Sequence, residues 1–499
     1  MKRLFLTLSL LVATQWPAYA DEPIAEQNAV QPIDHGSTLA TSDTSALDTK
    51  QPVSSMEIAS AISVVLPGAA SLPHIARLQK REWETLSAFY TARENAPIWA
   101  GGEAVLKRTA TLTDRLSRAD EDGLNPSDYP LPLRISETDS ATDRALADIM
   151  ISASAIAYAR DARGARIDLN RLSKLITPKL DLPSSTAVLA NLIGSANPGD
   201  ALAGYNPPQP GYRILREKLA MLRETTASIG EPSNHAVLQA SRKPVKTSTA
   251  MVAADPVTPY DLMANMERWR WVERDLGDRY IEVNLPEFML HVVDHGSIIH
   301  STRAIVGKPD TPTPIFSEKM QYLIVNPSWH VPYSIVKKEF LPKLAEDPDY
   351  AAKSGYEVTQ NGDLVTIRQP PGERNALGFV KFMFPNQHSV YLHDTPTRKL
   401  FANTERDYSH GCVRVEDPFS LASVVLDDPK YSTDDLKSLI GKGERVIRLK
   451  APLPVQLTYF TVVPDQTGEL HHVGDIYGYD QSVEAALGLG QPRAYAALK

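Results

Sequence analysis

The spacing of apolar residues changes once along the chain, and this change limits the fold more than any other feature. From about residue 72 to 226, apolar side chains recur every three or four positions, as in "DRALADIMISASAIAYARDARG", which is typical of amphipathic helices. From Arg279 onward, short segments such as "RYIEVN" and "SVYLHD" alternate apolar and polar residues, which predicts strands. The sequence therefore predicts an α+β multidomain chain, in which a mostly helical scaffold domain precedes a mostly β domain of sandwich-like or barrel form.

Composition and turn residues set the remaining boundaries. Residues 21–70 are rich in Ser, Thr, Asp, Gln and Ala, and residues 228–258 are rich in Ser, Pro and Thr, so neither segment is expected to bury enough apolar surface to order itself. A helix-containing stretch interrupts the β pattern and is predicted to be a lid. The predicted order is a signal peptide at 1–20, a flexible tether at 21–70, the helical domain at 71–227, a linker at 228–258, the β domain at 259–450 with the lid segment at about 329–378, and a C-terminal β extension at 451–499.

The first 20 residues predict export. Lys2 and Arg3 precede an apolar run, and Ala18-Tyr19-Ala20 forms a small-x-small cleavage site, which is the pattern of a secretory signal peptide. The apolar run is shorter than the roughly 20 residues that span a bilayer. We therefore expect cleavage after Ala20 and a mature chain located outside the cytoplasm.

Charge and cysteine usage exclude two classes of protein. The chain has 52 Lys and Arg against 60 Asp and Glu, a formal net charge of −8, whereas a nucleic-acid binder needs clustered basic residues that neutralise phosphates. Cys412 is the only cysteine among 499 residues. A disulfide-stabilised fold is therefore excluded, and the chain is expected to be stabilised by burial of its core.

Two short segments place polar residues around this single thiol. In "SVYLHD", Tyr391 and His393 share one strand face, and in "CVRV", Cys412 and Arg414 share one face. If the two strands are neighbours, all four side chains meet on the same surface. A lone cysteine is more often a small core residue, but this polar face favours a reactive thiol.

The residue types suit nucleophilic catalysis. Cys412 becomes a nucleophile when a base takes its proton, and His393 is the better candidate, since His410 lies two residues from the thiol in extended chain. His410 remains a second candidate because Gly411 permits a sharp bend. Main-chain N–H groups around Gly411 and Cys412 are candidate oxyanion donors, and Arg414 is a candidate ligand for a substrate carboxylate.

These motifs resemble a known family. "SHGCVRV", with "YLHDTP" placing a histidine nineteen positions before the cysteine, resembles the signature of YkuD-type L,D-transpeptidases, thiol enzymes that cross-link bacterial peptidoglycan. "NMERWRW", "VGKPDTPTPIF", "NPSWHVPYSI", "DIYG" and "YTARENAPIW" resemble the large periplasmic YcbB-like branch. Members of that branch often carry a peptidoglycan-binding module, and only the linker at 228–258 stands in its place here.

The resemblance implies roles for individual residues. It makes Cys412 the nucleophile and His393 the general base and acid, with a main-chain carbonyl near Asp394 orienting the imidazole. It makes Gly411 and His410 oxyanion or orienting residues. The substrate-binding residues that it implies are Arg414, Ser409, Tyr391 and Trp329, the last on a lid that covers the acyl-donor groove.

The resemblance also implies substrates and partners. The thiol would attack the amide between the third-position diamino acid and the terminal D-alanine of a tetrapeptide stem. Transfer of the acyl group to an amine of a second stem would give a direct link between diamino acids. Carbapenem-type inhibitors would acylate the same thiol, and cell-wall synthesis proteins are candidate partners for targeting.

Several alternatives stay open from the sequence alone. With water as acceptor, the same residues would make a thiol L,D-carboxypeptidase or hydrolase, and a chain that keeps only the fold would be a catalytically silent wall-binding scaffold. His291, His295 and His300 suggest a zinc site, but their segment alternates with period two, so the spacing of ligands on a helix does not apply. No cofactor and no metal are expected.

Overall fold

A computed structural model describes residues 53–228, 256–362, 364–465 and 467–489. The predicted signal peptide, residues 21–52 of the predicted tether and residues 229–255 of the predicted linker lie outside the described residues. Within the described ranges, no helix combines the length and the apolar character needed to cross a bilayer.

The amino-terminal part is helical, as the periodicity predicts. Helix α4 forms its centre and is buried along nearly all of its length, because its small and apolar residues let neighbouring helices approach from several sides. A short 3-10 helix at Ala119–Asp122 and a π-helical turn at Asp161–Ala165 connect the longer helices. The helices up to the β domain are α1 Ser55–Ala69, α2 Lys80–Ala92, α3 Glu103–Ser117, α4 Ala141–Arg160, α5 Leu169–Leu172, α6 Ser185–Gly194, α7 Pro198–Ala203, α8 Pro210–Ser228 and α9 Pro259–Trp269.

Helix α1 corrects the predicted end of the tether. Residues 55–69 were expected to be flexible, but Ser54 and Glu57 form a capping box that starts a helix there. Ile58, Ile62 and Leu66 recur every four residues and are buried against α4. The Ser- and Ala-rich composition hid this apolar stripe, which is enough to attach the segment to the helical core.

The strands form one large mixed sheet and two small ones. The main sheet has the order β10-β3-β11-β9-β8-β4-β12-β1-β2, and β2 also pairs with β3. The long strand β3 pairs with β2 along its first part and with β11 near its end. The strands are β1 Arg279–Asn284, β2 Met289–Asp294, β3 Ser297–Gly307, β4 Phe316–Val325, β5 Trp329–His330, β6 Glu357–Asn361, β7 Leu364–Gln369, β8 Val380–Met383, β9 Leu392–His393, β10 Asp407–Ser409, β11 Val413–Val415, β12 Arg445–Thr458, β13 Val462–Pro464 and β14 Leu470–His472.

The double pairing of β3 closes the main sheet into a ring of eight strands, with β10 attached outside the ring. Alternate residues such as Val283, Leu323 and Val413 are fully buried, as period-two alternation predicts. The α+β class with a mostly β domain is confirmed, and closure through β3 makes the sheet barrel-like. The remaining helices are α10 Tyr333–Ile335, α11 Leu341–Glu346, α12 Tyr350–Lys353, α13 Pro418–Leu426, α14 Thr433–Ser438 and α15 Tyr479–Ala486.

The lid segment has a core of its own. Strands β5, β7 and β6 form a three-stranded sheet, and α10 to α12, with a π-helical turn at Val336–Phe340, lie between β5 and β6. Val331, Val336, Phe340 and Ile367 are buried together. The segment is therefore a small packed unit beside the main sheet.

The boundary predicted at residue 450 is wrong. Strand β12 crosses it and lies between β4 and β1 in the main sheet, so residues 451–458 belong to the ring. This strand contains Pro452 and Pro454, although proline normally interrupts a central strand. Pro452 lies at a register shift between Arg448 and Leu453, and Pro454 is the register partner of Lys319 beyond that shift. A β-bulge tolerates a residue that cannot continue the ladder in this way.

One segment of the helical domain is hydrogen-bonded to the β domain. Ile176 forms an isolated β-bridge with Ile315, with hydrogen bonds from Thr177 N–H to the Ile315 carbonyl and from Ile315 N–H to the Leu175 carbonyl. Lys179 pairs with Glu318 of β4 at 2.7 Å. We call residues 173–181 the strap.

Candidate active site

Parallel pairing of two short strands assembles the centre of the site. Strand β9 lies beside β11, with Leu392 opposite Val413 and His393 opposite Arg414. Leu392 and Val413 are fully buried beneath the sheet. The opposite face carries Tyr391, His393, Cys412 and Arg414, the four side chains that alternation predicts would meet.

These four side chains line a cavity of about 540 Å³ between the main sheet and the lid segment. We call it the thiol cavity. Its lid side includes Trp329, the predicted groove-covering residue, together with the aromatic rings of Phe340, Tyr350 and Tyr356. The other lining residues are Thr311, Pro332, Ser334, Ile335, Lys338, Glu339, Lys343, Ala376, Leu377, His388, Ser389, Val390, Ser409 and His410.

The thiol of Cys412 is partly buried at the base of this cavity. Its sulfur lies 4.0 Å from the main-chain carbonyl oxygen of Ser389. Burial raises the pKa of Cys412 above its usual value, and this outweighs hydrogen bonds from the backbone and side chain of Tyr391 and the positive charges of Lys381 and Arg414. The site therefore holds a protonated thiol at neutral pH.

His393 is buried and held in one orientation. Its Nδ1 lies 2.5 Å from the main-chain carbonyl oxygen of Asp394. A carbonyl can only accept, so Nδ1 carries the hydrogen of the neutral ring and Nε2 keeps its lone pair. Burial, followed by the charges of Arg414 and Lys381, lowers the pKa of His393 to about 3, so the ring is a neutral proton acceptor. The described chain contains no hydrogen bond between His393 and Cys412, and such bonds often tighten only when substrate binds.

The side chain of Asp394 fixes the carbonyl that orients His393. Its two oxygens accept hydrogen bonds from the N–H groups of Phe379 at 2.8 Å and Thr395 at 2.7 Å, and Arg398 pairs with it at 2.7 Å. Gly378, at φ +58°, passes so close that a Cβ there would overlap the Asp394 Cγ. Asp394 is therefore placed to act through the backbone, with its carboxylate turned toward this framework.

The turn before the thiol is a sharp bend of the chain at Gly411. Gly411 has φ +110°, a conformation that favours glycine. Its N–H donates to Ser409 Oγ at 3.0 Å, and Ser409 Oγ–H donates to the Cys412 carbonyl at 2.5 Å. The Gly411 N–H is therefore already used, contrary to its expected role as an oxyanion donor. The Cys412 N–H makes no hydrogen bond within the described ranges and is the donor left at the thiol. Ser409 is buried and holds this turn.

The side chain of His410 contacts the lid segment. Its Nε2 lies 2.8 Å from Glu339 Oε1, in the π-helical turn of the lid segment. Both side chains are partly exposed. The bend at Gly411 thus directs the second histidine toward the lid and leaves His393 beside Arg414.

Two cations border the site, and neither forms an ion pair with a residue that the structure describes. Arg414 makes no ion pair within the described chain, and its Nε is buried without a hydrogen bond. Lys381 on β8 is the register partner of His393, and its Nζ lies 3.8 Å from the centroid of the Tyr391 ring. Sequence reasoning missed Lys381, although "GFVKFMF" alternates and places it on the face opposite the buried Val380 and Phe382.

The three histidines considered for zinc lie on the β2–β3 hairpin. His295 occupies its turn, and His291 Nδ1 lies 2.8 Å from Ser301 Oγ on the neighbouring strand. Across the described residues, no group of three His, Cys, Asp or Glu side chains is arranged to hold a metal ion.

Comparison with known proteins gives two family matches. Residues 278–447 match the family model described as the L,D-transpeptidase catalytic domain, YkuD. Residues 84–219 match a model described as a scaffold domain. The resemblance drawn from the motifs is confirmed, and the pairing of these two domains is consistent with the YcbB-like branch.

One similar curated protein is a Haemophilus influenzae protein named "Putative L,D-transpeptidase", which is 34% identical over 225 residues. The alignment covers 41% of this chain and 45% of that protein, so the chain spans about half the length of the curated relative that it matches.

Solved structures give weaker likenesses. An L,D-transpeptidase from Mycobacterium smegmatis is 13% identical with a TM-score of 0.19, covering 36% of this chain and 58% of that one. L,D-transpeptidase 3 from Mycobacterium tuberculosis is 12% identical with a TM-score of 0.20, covering 36% and 61%. The Enterococcus faecium catalytic domain acylated by ertapenem is 18% identical with a TM-score of 0.17, covering 36% and 96%. Scores this low carry no argument about the present chain.

Proposed function

We propose that the chain is a peptidoglycan L,D-transpeptidase with Cys412 as its nucleophile, because residues 278–447 match the YkuD L,D-transpeptidase catalytic domain. The observation that carries the proposal is the register pairing of β9 and β11, which sets His393 and Arg414 side by side on the face that carries Cys412. The lid segment closes one side of the same cavity. This arrangement supplies a nucleophile, a base and an anion-binding group within one site.

The charges of the site determine the order of events. Burial raises the pKa of the thiol above its usual value and lowers that of His393 to about 3, so a thiolate–imidazolium pair is disfavoured. The resting pair is therefore neutral. His393 Nε2 takes the thiol proton only as the sulfur attacks, when positive charges from Arg414 and Lys381 stabilise the negative charge that develops.

The reaction then proceeds in two halves. The sulfur attacks the carbonyl carbon of the amide between the third-position diamino acid and D-alanine, and the Cys412 N–H is placed to stabilise the oxyanion. His393 returns its proton to the leaving nitrogen, D-alanine departs, and a thioester remains. An amine of a second stem attacks the thioester, His393 accepts its proton, and the proton returns to the sulfur as the cross-linked product leaves.

Arg414 is proposed to bind a carboxylate of the donor stem. Its guanidinium lacks an acidic partner in the described chain and lines the thiol cavity, and a planar guanidinium suits bidentate binding of a carboxylate. Tyr391 and Trp329 form the adjoining walls. The same cavity is proposed to admit carbapenem-type inhibitors, which acylate thiols of this kind.

The test uses the purified chain with tetrapeptide donor and acceptor stems. We expect D-alanine release, dimers linked through their diamino acids, and a carbapenem adduct on the wild type that Cys412→Ala loses. Tripeptide monomer as the sole product would assign the carboxypeptidase reaction instead. If carbapenem treatment does not change the mass of the wild type and no product forms, the chain would be assigned as a catalytically silent scaffold.

A periplasmic location is also a proposal, and it rests on the amino-terminal sequence. The segment with signal-peptide features lies outside the described residues, and cleavage after Ala20 would deliver the enzyme to the periplasm, where its substrate lies. Amino-terminal sequencing of the mature protein from a periplasmic extract tests this, and an uncleaved cytoplasmic chain would contradict it.

A further inference from the structure

The helical domain contacts the wall of the thiol cavity at one polar point. Thr177 Oγ1 on the strap lies 2.8 Å from His388 Nε2, and His388 lines the cavity. Thr177 itself lies outside the cavity lining. A side chain of the helical domain thus contacts a cavity-wall residue that has no role in the reaction described above.

His388 lies close to the reacting atoms. Its neighbour Ser389 has a main-chain carbonyl oxygen 4.0 Å from the Cys412 sulfur. Ser389 has φ +55°, an uncommon conformation for a residue other than glycine. Asn386 holds the turn in place, because its Oδ1 accepts from the N–H groups of His388 and Val390. The turn therefore presents His388 to the cavity one residue from the thiol contact.

The imidazole of His388 is fixed on three sides. Its ring packs against Phe316, with a centroid distance of 5.1 Å. Gln387 Nε2 lies 3.4 Å from the same Nε2 that meets Thr177. An amide N–H can only donate, so His388 Nε2 acts as the acceptor and the Thr177 hydroxyl donates to it. The hydrogen of the neutral ring then resides on Nδ1.

The free nitrogen of His388 suits a substrate oxygen. Burial lowers the pKa of His388, which keeps the ring neutral at pH 7. Its Nδ1 makes no hydrogen bond to any residue that the structure describes. A neutral Nδ1–H in a cavity wall can donate to an amide carbonyl of a bound peptide.

We propose that Thr177 is a positioning residue that orients His388 to donate from Nδ1 to a main-chain carbonyl of the acyl-donor peptide. The helical domain thereby takes part in substrate binding as well as supporting the fold. This inference rests on the proposed function, because it assigns the peptide bound in the same cavity.

Four single variants and one double variant of the full chain test the proposal. Thr177→Val removes the hydroxyl and keeps the shape, Thr177→Ser restores a hydroxyl, and His388→Phe keeps the packing on Phe316 while it removes both nitrogens. Lys179→Ala is the matched control, because it removes the strap's exposed ion pair with Glu318 without touching the cavity. The double variant combines Thr177→Val with His388→Phe.

We expect Thr177→Val to raise KM for the tetrapeptide donor by about three- to tenfold, the usual effect of one hydrogen bond, with kcat within about twofold. Thr177→Ser and Lys179→Ala should match the wild type. His388→Phe should raise KM at least as much as Thr177→Val, and the double variant should equal His388→Phe, since Thr177 acts through that ring.

Two results would overturn the inference: an unchanged KM in Thr177→Val, or a Thr177→Val effect that multiplies fully on the His388→Phe background. Thermal melts confirm folding, and Thr177→Ala replaces Thr177→Val if the valine variant does not fold. A wild type that releases no D-alanine refutes the proposed function. An active wild type with a silent Thr177→Val refutes this inference alone.

Discussion

His393 and Arg414 are register partners on the parallel strands β9 and β11, so a guanidinium lies beside a buried imidazole that is proposed to be the catalytic base. After burial itself, Arg414 is the largest cause that lowers the pKa of His393 to about 3. The pairing joins substrate binding to proton transfer, because a carboxylate bound to Arg414 would offset the charge that the imidazole experiences.

The first prediction concerns the pH profile. A base with a pKa near 3 stays unprotonated throughout the neutral and mildly acidic range, so kcat/KM for D-alanine release should remain flat from about pH 5 to pH 7. Arg414→Met removes the cation and lets His393 bind a proton at higher pH, which should move the acidic limb upward. A wild-type limb centred near 6.5 would show that the imidazole is not held in this way.

The second prediction concerns stability in acid. The folded pKa of His393, near 3, lies below the usual 6.5 of an unfolded chain. Between these values the unfolded state binds a proton that the folded state does not, so lowering the pH destabilises the fold. At pH 5 this costs about 1 to 2 kcal/mol.

The free energy of unfolding is measured by urea denaturation at pH 7 and at pH 5. His393→Gln should remove the contribution of about 1 to 2 kcal/mol that His393 makes to the difference between the two values. His295→Gln is the control, because His295 lies in an exposed turn with 77% of its side chain accessible. Equal pH dependence in wild type and His393→Gln would contradict the shift.

The third prediction tests the support beneath Asp394. Gly378→Ala places a Cβ in steric overlap with the Asp394 Cγ at a positive φ, so it should displace the carbonyl that holds His393. We expect a loss of at least about 2 kcal/mol in unfolding free energy and a carbapenem acylation rate reduced by about 100-fold or more. Gly277→Ala has a similar φ of +66° with no atom within 4 Å of its Cβ, so it isolates backbone strain from the clash. Equal losses in both variants would count against a specific role for Gly378.

The fourth prediction concerns the contact between the thiol turn and the lid. Glu339→Gln weakens the pair with His410, which is 2.8 Å long but partly exposed, and exposed pairs contribute about 0.2 to 1 kcal/mol. Acylation by a carbapenem should therefore change by no more than about fivefold, while amide hydrogen exchange in residues 333–353 accelerates. Exchange that is unchanged would mean that the pair does not restrain the lid.

The fifth prediction concerns the charge of the thiol. Lys381 lowers the pKa of Cys412, so Lys381→Met should raise the midpoint of the pH dependence of iodoacetamide alkylation. Lys319→Met on β4 is the control, because Lys319 is exposed outside the thiol cavity. The same alkylation midpoint in the wild type, Lys381→Met and Lys319→Met would show that Lys381 does not influence the pKa of the thiol.

The sequence predicted which side chains share the face of the site, because strand alternation is a local property. Tyr391, His393, Cys412 and Arg414 fall on one side of two segments whatever the rest of the chain does, and only the adjacency of the strands needed the fold. The roles of these residues stay predictions until the variants are measured. Lys381 was within reach of the same reasoning, since its own strand alternates.

Other features of the site depend on contacts distant in sequence. Thr177 and His388 are in contact but 211 positions apart in the sequence, and Glu339 and His410 are 71 positions apart. No local sequence pattern therefore indicates either pair. The commitment of the Gly411 N–H to Ser409 depends on a single φ angle that glycine leaves open. The boundary predicted at 450 falls inside β12, because the register shift that lets this strand continue beyond Arg448 has no signature in the segment itself.

Closure of the β ring imposes an order on folding. Strand β1 begins at Arg279, yet its parallel partner β12 ends at Thr458, so the loop between them must be closed before the ladder forms, at an entropic cost that grows with loop length. Pairings of this separation are slow to form. During synthesis, His393 and Cys412 therefore leave the ribosome before β12, the strand between β4 and β1 that completes the ring.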